Sequence, residues 1–451
     1  MSIITNTDSY KLSHFAFYPP GTTEVYSYFE SRGGKYLKNV FFGLQPLLEL
    51  LAIPITMEDI LEAEAFSLAH GLPFNKAGWL YILQKHNGFL PVEIKAVPEG
   101  SVIPYRNVLM TVKNTDPEVP WLTSYLETPL VRVWYPSTVA TRIFNMKRKL
   151  KAYFNETSDE GNMDFALLDF SSRGCSSLET NELGGAAYLT LFKGSDSIPA
   201  VVYTNKHYHS EMSGFSVPAT EHSIMTGYDD EFASFEHLVE VAEPGSILSV
   251  VCDTWNVYEA AEKWVLLKDK LSAKNITLVV RPDSGEIEDV LPKVLKTLEK
   301  GFGSTVNKKG FKVLNGVKVL WGDGINEETC HIPFVVAWTQ GISSDSIMVG
   351  SGGGLMQANI DRDTSKYAFK ASSITIDGVE KGIAKNPITD PGKMSKKGKL
   401  SLIKDGENYV TLMGRENTVG VENELQTVFK NGKIMKITTL EEIRKRLELN
   451  T

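Results

Sequence analysis

From about residue 165 the chain alternates between short, β-branched apolar runs and amphipathic stretches of helical period. The runs are FALLDF (165–170), ILSVVCD (247–253), ITLVVR (276–281), VKVLWGD (317–323) and DSIMVGS (345–351). After one long gap their starts lie roughly 30 to 40 residues apart, the spacing of successive βαβ units, so the pattern predicts a parallel sheet. Beyond the third run, Ile287, Val290, Leu291, Val294, Leu295 and Leu298 fall at i, i+3, i+4, i+7, i+8 and i+11, one buried helical face. Ser284 is expected to cap that helix, with Asp283 and Glu286 beside the positive end of its dipole.

The flanks read differently. Residues 30–130 mix helical and strand patterns with many prolines. Residues 365–451 alternate in strand fashion, with turn pairs Asp377-Gly378 and Asn431-Gly432, a basic run GKMSKKGK (392–399) and a closing helical pattern LEEIRKRLEL. The expected fold class is α/β. A (β/α) barrel-like domain spans about 135–360 and takes in the N-terminal segment 1–29; a second, β-rich α+β domain is built from both flanks, 30–134 with 361–451.

Composition narrows the function. The chain has 451 residues, 42% hydrophobic and 23% charged, ordinary usage for a globular protein with a sizeable core. A formal net charge of −8 argues against nucleic acid, which needs a basic face, so a small anionic ligand would require locally placed cations. No apolar run approaches the roughly 20 residues of a membrane span, and MSIITNTDSYK lacks the charged and apolar regions of a signal peptide; a cytoplasmic protein is expected. Cys175, Cys252 and Cys330 lie far apart with no CxxC pair, as befits reduced thiols rather than a disulfide frame or zinc site.

Each apolar run ends in residue types that carry chemistry: Asp169 and Arg173, Asp253, Arg281 and Asp283, Gly322 and Asp323, and finally GSGGGLMQ (350–357). One Asp after a strand is usually a helix cap, and one glycine-rich turn is usually only a turn. Five strand ends with the same bias predict a ligand site on the carboxyl face of a parallel sheet. The glycine turn, with Gly352 and Gly353, offers backbone N–H groups to a phosphate, although it fits neither GxxxxGK[ST] nor GxGxxG. Arg173, Arg281 and Arg362, about two turns beyond the glycines, supply guanidinium forks for phosphate oxygens. Asp253, Asp283 and Asp323 are hard oxygen donors for Mg²⁺ or ribose hydroxyls. Together these residues point to a sugar phosphate or pyrophosphate with its metal.

TDSYKLSHFAFYPPGTTEVYSYFESR (7–32), DFSSRGCSSLET (169–180), FKGSDS (192–197), SVPATEHS (216–223), RPDSG (281–285), GDG (322–324) and GSGGGLMQ together resemble the nicotinamide phosphoribosyltransferase family of type II phosphoribosyltransferases. The motifs keep the family's order over nearly the whole chain. The resemblance implies an α/β barrel joined to a β-rich domain, and a homodimer with shared active sites. It implies transfer of phosphoribose from 5-phosphoribosyl 1-pyrophosphate to nicotinamide, with Mg²⁺ and coupled ATP hydrolysis, in NAD salvage.

On that resemblance Phe170 stacks on one pyridine face and Tyr10 of the other subunit on the opposite face, while Asp196 accepts a hydrogen bond from the carboxamide. Arg173 and Arg281 lie on the phosphate side, Asp253 and Asp283 contact ribose and metal, and Gly322 and Asp323 contact ribose. Gly353 and Arg362 serve the 5′-phosphate, and Arg32, Lys370 and Lys385 lie near the phosphates. His222 takes the phosphoryl group of ATP, a role an isolated histidine would not suggest. Between Gln357 and Arg362 the chain is one residue longer than the family pattern, which leaves the helical phase of Arg362 open.

An ionised Asp196 about 4 Å from a nicotinate carboxylate would meet about 4 kcal/mol of repulsion at an effective dielectric near 20, roughly a thousandfold in affinity. Nicotinamide is therefore the expected base, with a nicotinate phosphoribosyltransferase of the same fold as the alternative. A sugar-phosphate aldolase or isomerase would need a strand-end lysine or an acid/base pair, and the strand ends carry Arg and Asp instead. A catalytically silent binding protein would not need this set of polar residues.

Overall fold

The computed structural model describes residues 2–390, 393–406, 408–414 and 421–451; the first residue of the basic run 392–399 lies outside them. Two compact units are present: Met1–Thr141 with Lys206–Ser210 and Asn359–Asn450, and Arg142–Asn205 with Glu211–Ala358 and Thr451.

In the second unit the five apolar runs form strands of one parallel sheet, as their spacing predicts, and a sixth strand that no run announced joins them: β1 (Leu167–Asp169), the added β2 (Gly194–Ser195), β3 (Ile247–Val251), β4 (Thr277–Arg281), β5 (Val317–Trp321) and β6 (Ile347–Ser351), in the order β2-β1-β6-β5-β4-β3. The centre of β4, Leu278 to Val280, is buried without alternation, as expected of a strand covered on both faces. The two edges do not stay open. Phe215 N–H donates to the Lys193 carbonyl (2.7 Å) and Ser195 N–H to the Phe215 carbonyl (3.0 Å), while Ser249 N–H donates to Pro218 and Thr220 N–H to Ser249 (both 3.0 Å). Residues 215–220 thus bridge β2 to β3, satisfy both edges and close the sheet into a barrel.

The helix Ile287–Phe302 buries the apolar face read from its period, with Phe302 added. Its start differs from expectation. The N-cap position is Glu286, without a side-chain cap bond, because Gly285 sits at φ 92° and cannot continue a helix. Ser284 therefore belongs to the turn and caps nothing.

The first unit centres on a seven-stranded antiparallel sheet in the order Val379–Gly382, Tyr367–Ile376, Thr22–Ser31, Val108–Asn114, Val92–Ala96, Gln426–Lys430, Lys433–Ile434, so both flanks do build one β-rich body. Asp377-Gly378 and Asn431-Gly432 close its two hairpins with φ of 47°, 77°, 50° and 78°, the left-handed pair a type I′ turn requires. The closing helix runs Leu440–Glu448 behind a Thr439–Glu442 capping box. Residues 1–29, assigned to the barrel from sequence, build this unit instead: Thr22–Ser31 is a central strand, Tyr125 Oη donates to the Ile4 carbonyl (2.6 Å), and Lys11 pairs with Glu127 at 2.5 Å. Among the described residues no helix is long and apolar enough to cross a membrane.

Candidate functional site

The carboxyl ends of the barrel strands gather the residues that the runs deliver. Phe170, just past β1, donates its N–H to the Ser351 carbonyl at 2.9 Å. Its ring lies across Gly350: a Cβ there would stand 2.1 Å from Phe170 Cε2. The Arg281 guanidinium lies 5.3 Å over the same ring, a cation–π contact. Arg281 also reaches the Thr220 carbonyl at 3.4 Å, and its buried Nε has no partner among the described residues.

These groups line one end of a cavity of about 330 Å³ inside the barrel. Asp196, Phe170 and Arg281 stand at its carboxyl end; Ile247, Thr277 and Lys318, from the starts of β3, β4 and β5, line the other. Asp196 follows β2 and accepts the Ser216 hydroxyl at 2.5 Å, so one of its carboxylate oxygens is held by the closing segment.

A carboxylate cluster lies at the ends of β3, β4 and β5. His222 Nε2 is 3.0 Å from Asp253 Oδ1, with half of the imidazole exposed. The Asp283 carboxylate packs against Gly322, where a Cβ would come within 2.8 Å of Oδ1. Burial pushes the Asp283 carboxyl above its ordinary range; Asp253 and Asp323 add to the rise, while Arg281 and His222 oppose it. Among the described residues no group of three or more His, Cys, Asp or Glu side chains is arranged to hold a metal by itself.

On the other side, Arg173 sits in the 3-10 turn Ser172–Gly174, and Gly174 packs against Gly353 so closely that a Cβ on Gly353 would meet the Gly174 carbonyl oxygen at 2.4 Å. Gln357 locks the two turns together, accepting Ser176 N–H at 2.9 Å and donating to the Gly174 carbonyl at 2.8 Å. A Cβ on Gly352 would meet nothing within 4 Å; packing within the protein does not demand that glycine. Arg142, only 6% exposed, donates to the carbonyls of Gly354 (3.0 Å), Leu355 (3.2 Å) and Ala358 (2.6 Å). A buried cation thus caps the single helical turn Gly354–Gln357 at its negative end.

Tyr10, Arg32, Lys370, Lys385 and Arg362 belong to the first unit. Arg362 is not delivered by a helix from the glycines. The turn stops at Ala358 (ψ 123°), Asn359 takes φ 53°, and Arg362 opens a separate 3-10 turn, Arg362–Thr364, capped by Asp361. Its exposed side chain lies 3.4 Å from Asp363. Burial lowers the Lys370 pKa; Glu127 opposes the drop, and Arg32, Lys385 and Lys11 add to it, so these basic groups lie within electrostatic reach of Lys370. Buried Glu30 accepts Arg32 Nε at 2.8 Å and pairs with Lys396; one Arg32 terminal nitrogen is buried with no partner among the described residues. Tyr10 is 55% exposed, with Lys11 Nζ 5.2 Å over its ring.

Sequence reasoning passed over Arg142, Ser216 and Lys396. Lys396 lies in the noted basic run and Ser216 opens a quoted motif, so both had a signal. Arg142 sits in an ordinary helical stretch and had none.

Two family models match the chain: the nicotinate phosphoribosyltransferase (NAPRTase) family over residues 165–433, and the nicotinamide phosphoribosyltransferase N-terminal domain over residues 2–94. A nicotinamide phosphoribosyltransferase of Xanthomonas campestris pv. campestris is 44% identical over 98% of this chain and 97% of that protein. One from Acinetobacter baylyi is 32% identical over 98% and 96%. Among solved structures, the nicotinate-nucleotide pyrophosphorylase of Pyrococcus furiosus superposes with a TM-score of 0.64 at 15% identity, covering 99% of this chain and 95% of that one. Human nicotinic acid phosphoribosyltransferase does so with 0.59 at 16% identity, covering 98% and 93%; at such identities the likeness concerns the fold. With the barrel, the strand-end residues and the near-complete match at 44% identity in place, the chain belongs to the nicotinamide phosphoribosyltransferase family.

Proposed function

We propose that the protein transfers the phosphoribosyl group of 5-phosphoribosyl 1-pyrophosphate to nicotinamide, releasing pyrophosphate and forming nicotinamide mononucleotide for NAD salvage. The observation that carries this reading is the mouth of the barrel cavity, where Phe170, Arg281 and Asp196 converge. Phe170 offers a ring face for stacking. Asp196, with Oδ1 held by Ser216, keeps its other oxygen for the carboxamide N–H.

In the reaction the bond from ribose C1 to the pyrophosphate oxygen breaks while the pyridine nitrogen bonds to C1, and the leaving oxygen keeps the electron pair. No covalent enzyme intermediate is required. Arg173, Arg281 and the turn around Gly352 hold phosphate oxygens, and the open space above Gly352 leaves room for them. Asp323 and the backbone at Gly322 address the ribose. Holding base and sugar in line, with carboxylates near the developing positive charge on the sugar, is the main catalytic contribution of the chain.

Mg²⁺ characteristically takes one or two carboxylates and completes its shell with waters and substrate phosphates. The Asp253 and Asp283 carboxylates, with the Asp283 pKa raised by burial and by its acidic neighbours, fit that role; when bound, the ion neutralises charge on the departing pyrophosphate. In the first unit, the cluster of Arg32, Lys370, Lys385 and Lys396 is suited to phosphates, and in a homodimer with shared sites it and Tyr10 serve the partner's substrates. Arg362 serves the 5′-phosphate on the same reading. The free cysteines accord with a cytoplasmic setting.

ATP is the co-substrate through His222. Asp253 accepting Nε2–H leaves Nδ1 as the unprotonated nitrogen, which attacks the terminal phosphorus of ATP as ADP leaves. His222→Ala is then expected to lose ATPase activity and the ATP-dependent gain in product while keeping basal transfer. Intact-mass or phosphohistidine analysis after incubation with ATP checks this, and an unmodified wild-type protein would refute it.

Asp196→Asn removes the charge facing the ring substituent, so kcat/KM for nicotinate relative to nicotinamide is expected to rise about tenfold or more. Steady-state kinetics with both bases measure it, and an unchanged preference removes Asp196 from base selection. Gly350→Ala drives a methyl into Phe170. KM for nicotinamide should rise about tenfold while KM for 5-phosphoribosyl 1-pyrophosphate stays within about twofold, since a displacement of ~1 Å at one subsite costs that much or more.

A further inference from the structure

Beneath Phe170 and Asp196 lies a carboxylate for which the transfer chemistry has no use. Asp169 closes β1 and is 0% exposed. Its Oδ1 accepts Ser171 N–H at 2.9 Å, its Oδ2 accepts the Ser195 hydroxyl at 2.9 Å, and its backbone carbonyl accepts Asp196 N–H at 3.0 Å. One residue therefore bonds directly to the residue after Phe170, to the residue before Asp196, and to Asp196 itself.

The contacts extend into a closed polar network. Ser195 Oγ accepts Ser197 N–H at 3.1 Å, the Ser197 hydroxyl donates to Asn181 Oδ1 at 2.7 Å, and the Asn181 amide reaches Ser171 Oγ at 3.5 Å and Cys175 Sγ at 3.8 Å. Asn181, 2% exposed, stands on the helix Leu178–Leu189. The ring of bonds thus joins the ends of β1 and β2 to that helix. Among the described residues no cation takes part.

Burying a carboxylate with no cation beside it is costly: burial pushes the Asp169 carboxyl above its ordinary range, the hydrogen bonds from Ser171 and Ser195 pull it back in part, and nearby Asp196 adds to the rise. Stability alone would be served better by an apolar or amide side chain of similar size. An acceptor-only group earns its place where two donors from different strands must converge on one point, and the backbone N–H of Ser171 and the hydroxyl of Ser195 do so here.

We infer that Asp169 is the positioning residue for the acceptor base: it fixes the ring of Phe170 and the carboxylate of Asp196 relative to one another, so that one stacks on the pyridine while the other meets its carboxamide. The inference rests on the reading that Phe170 and Asp196 hold the base. Asp169 touches no substrate and acts only through these two.

The test compares Asp169→Asn, Ser195→Ala and Asp196→Asn in the full-length enzyme. Asp169→Asn retains one acceptor and the side-chain volume; Ser195→Ala cuts the link to Asp196 without placing a new polar group, and serves where Asp169→Asn does not fold. Both are expected to raise KM for nicotinamide about tenfold and to weaken the preference over nicotinate, with KM for 5-phosphoribosyl 1-pyrophosphate unchanged. A lowered Tm with unchanged KM values, or parallel rises in both, would show a purely structural role and overturn the inference. If Asp196→Asn leaves nicotinamide KM and base preference untouched, the base-site reading fails, and the positioning role falls with it.

Discussion

The carboxyl ends of the parallel strands deliver Asp196, Asp253, Arg281, Asp283 and Asp323 to the barrel site, and the hydrogen bonds that close the ring of strands hold those ends at fixed spacing. Without the four bonds of residues 215–220 to Lys193, Ser195 and Ser249, β2 and β3 would be free edges. Asp196 would then lose both its strand and its Ser216 partner. Parallel pairing matters as much as closure, because a single antiparallel strand would send its terminal residue to the opposite rim. The site is a consequence of strand direction, and the individual side chains inherit their positions from it.

Charge is the second constraint. A chain of net charge −8 that binds a pyrophosphate ester must concentrate cations locally, yet Asp253, Asp283 and Asp323 stand together at neighbouring strand ends. The Asp283 carboxyl is the group that registers the conflict: burial and two acidic neighbours raise its pKa, against Arg281 and His222. On the proposed function a phosphate would stand beside these carboxylates, and a divalent cation such as Mg²⁺ held between them would relieve the repulsion. The Arg142 cation works differently. It spends its charge on the three carbonyls behind the glycine turn, leaving the forward N–H groups of the turn to face a ligand.

Much of this was legible in the sequence where a residue's role depends on its own strand or turn. The runs ending in Asp253, Arg281 and Asp323 announced the carboxyl face, and Asp377-Gly378 and Asn431-Gly432 announced two hairpins. The illegible parts depend on partners distant in sequence. β2 has two residues, too few for any period, and the bridging segment contains Pro218, which argues against a strand when read alone. Ser284 was read as a cap because the residue type fits, but Gly285 decides the helix start. Arg362 was placed by helical counting, which Asn359 in a left-handed conformation interrupts. Asp169 was read as a site residue because it ends a strand; its carboxylate is instead buried among serines, and only the three-dimensional pairing of β1 with β2 reveals its partners.

Base selection raises a further condition. In open water the repulsion between Asp196 and a nicotinate carboxylate about 4 Å away falls to about 1 kcal/mol, against about 4 kcal/mol at an effective dielectric near 20. Asp196 is exposed in the single chain, so its charge can discriminate strongly only when the mouth of the cavity is covered. Tyr10 is an aromatic residue left 55% exposed in its own chain. In the proposed dimer a Tyr10 from the second copy would supply both the opposite stacking face and the exclusion of water. Dimerisation and the preference for nicotinamide are then linked: a monomeric form would lose selectivity before it lost the barrel, because strand closure and the Asp169 network lie wholly within one chain.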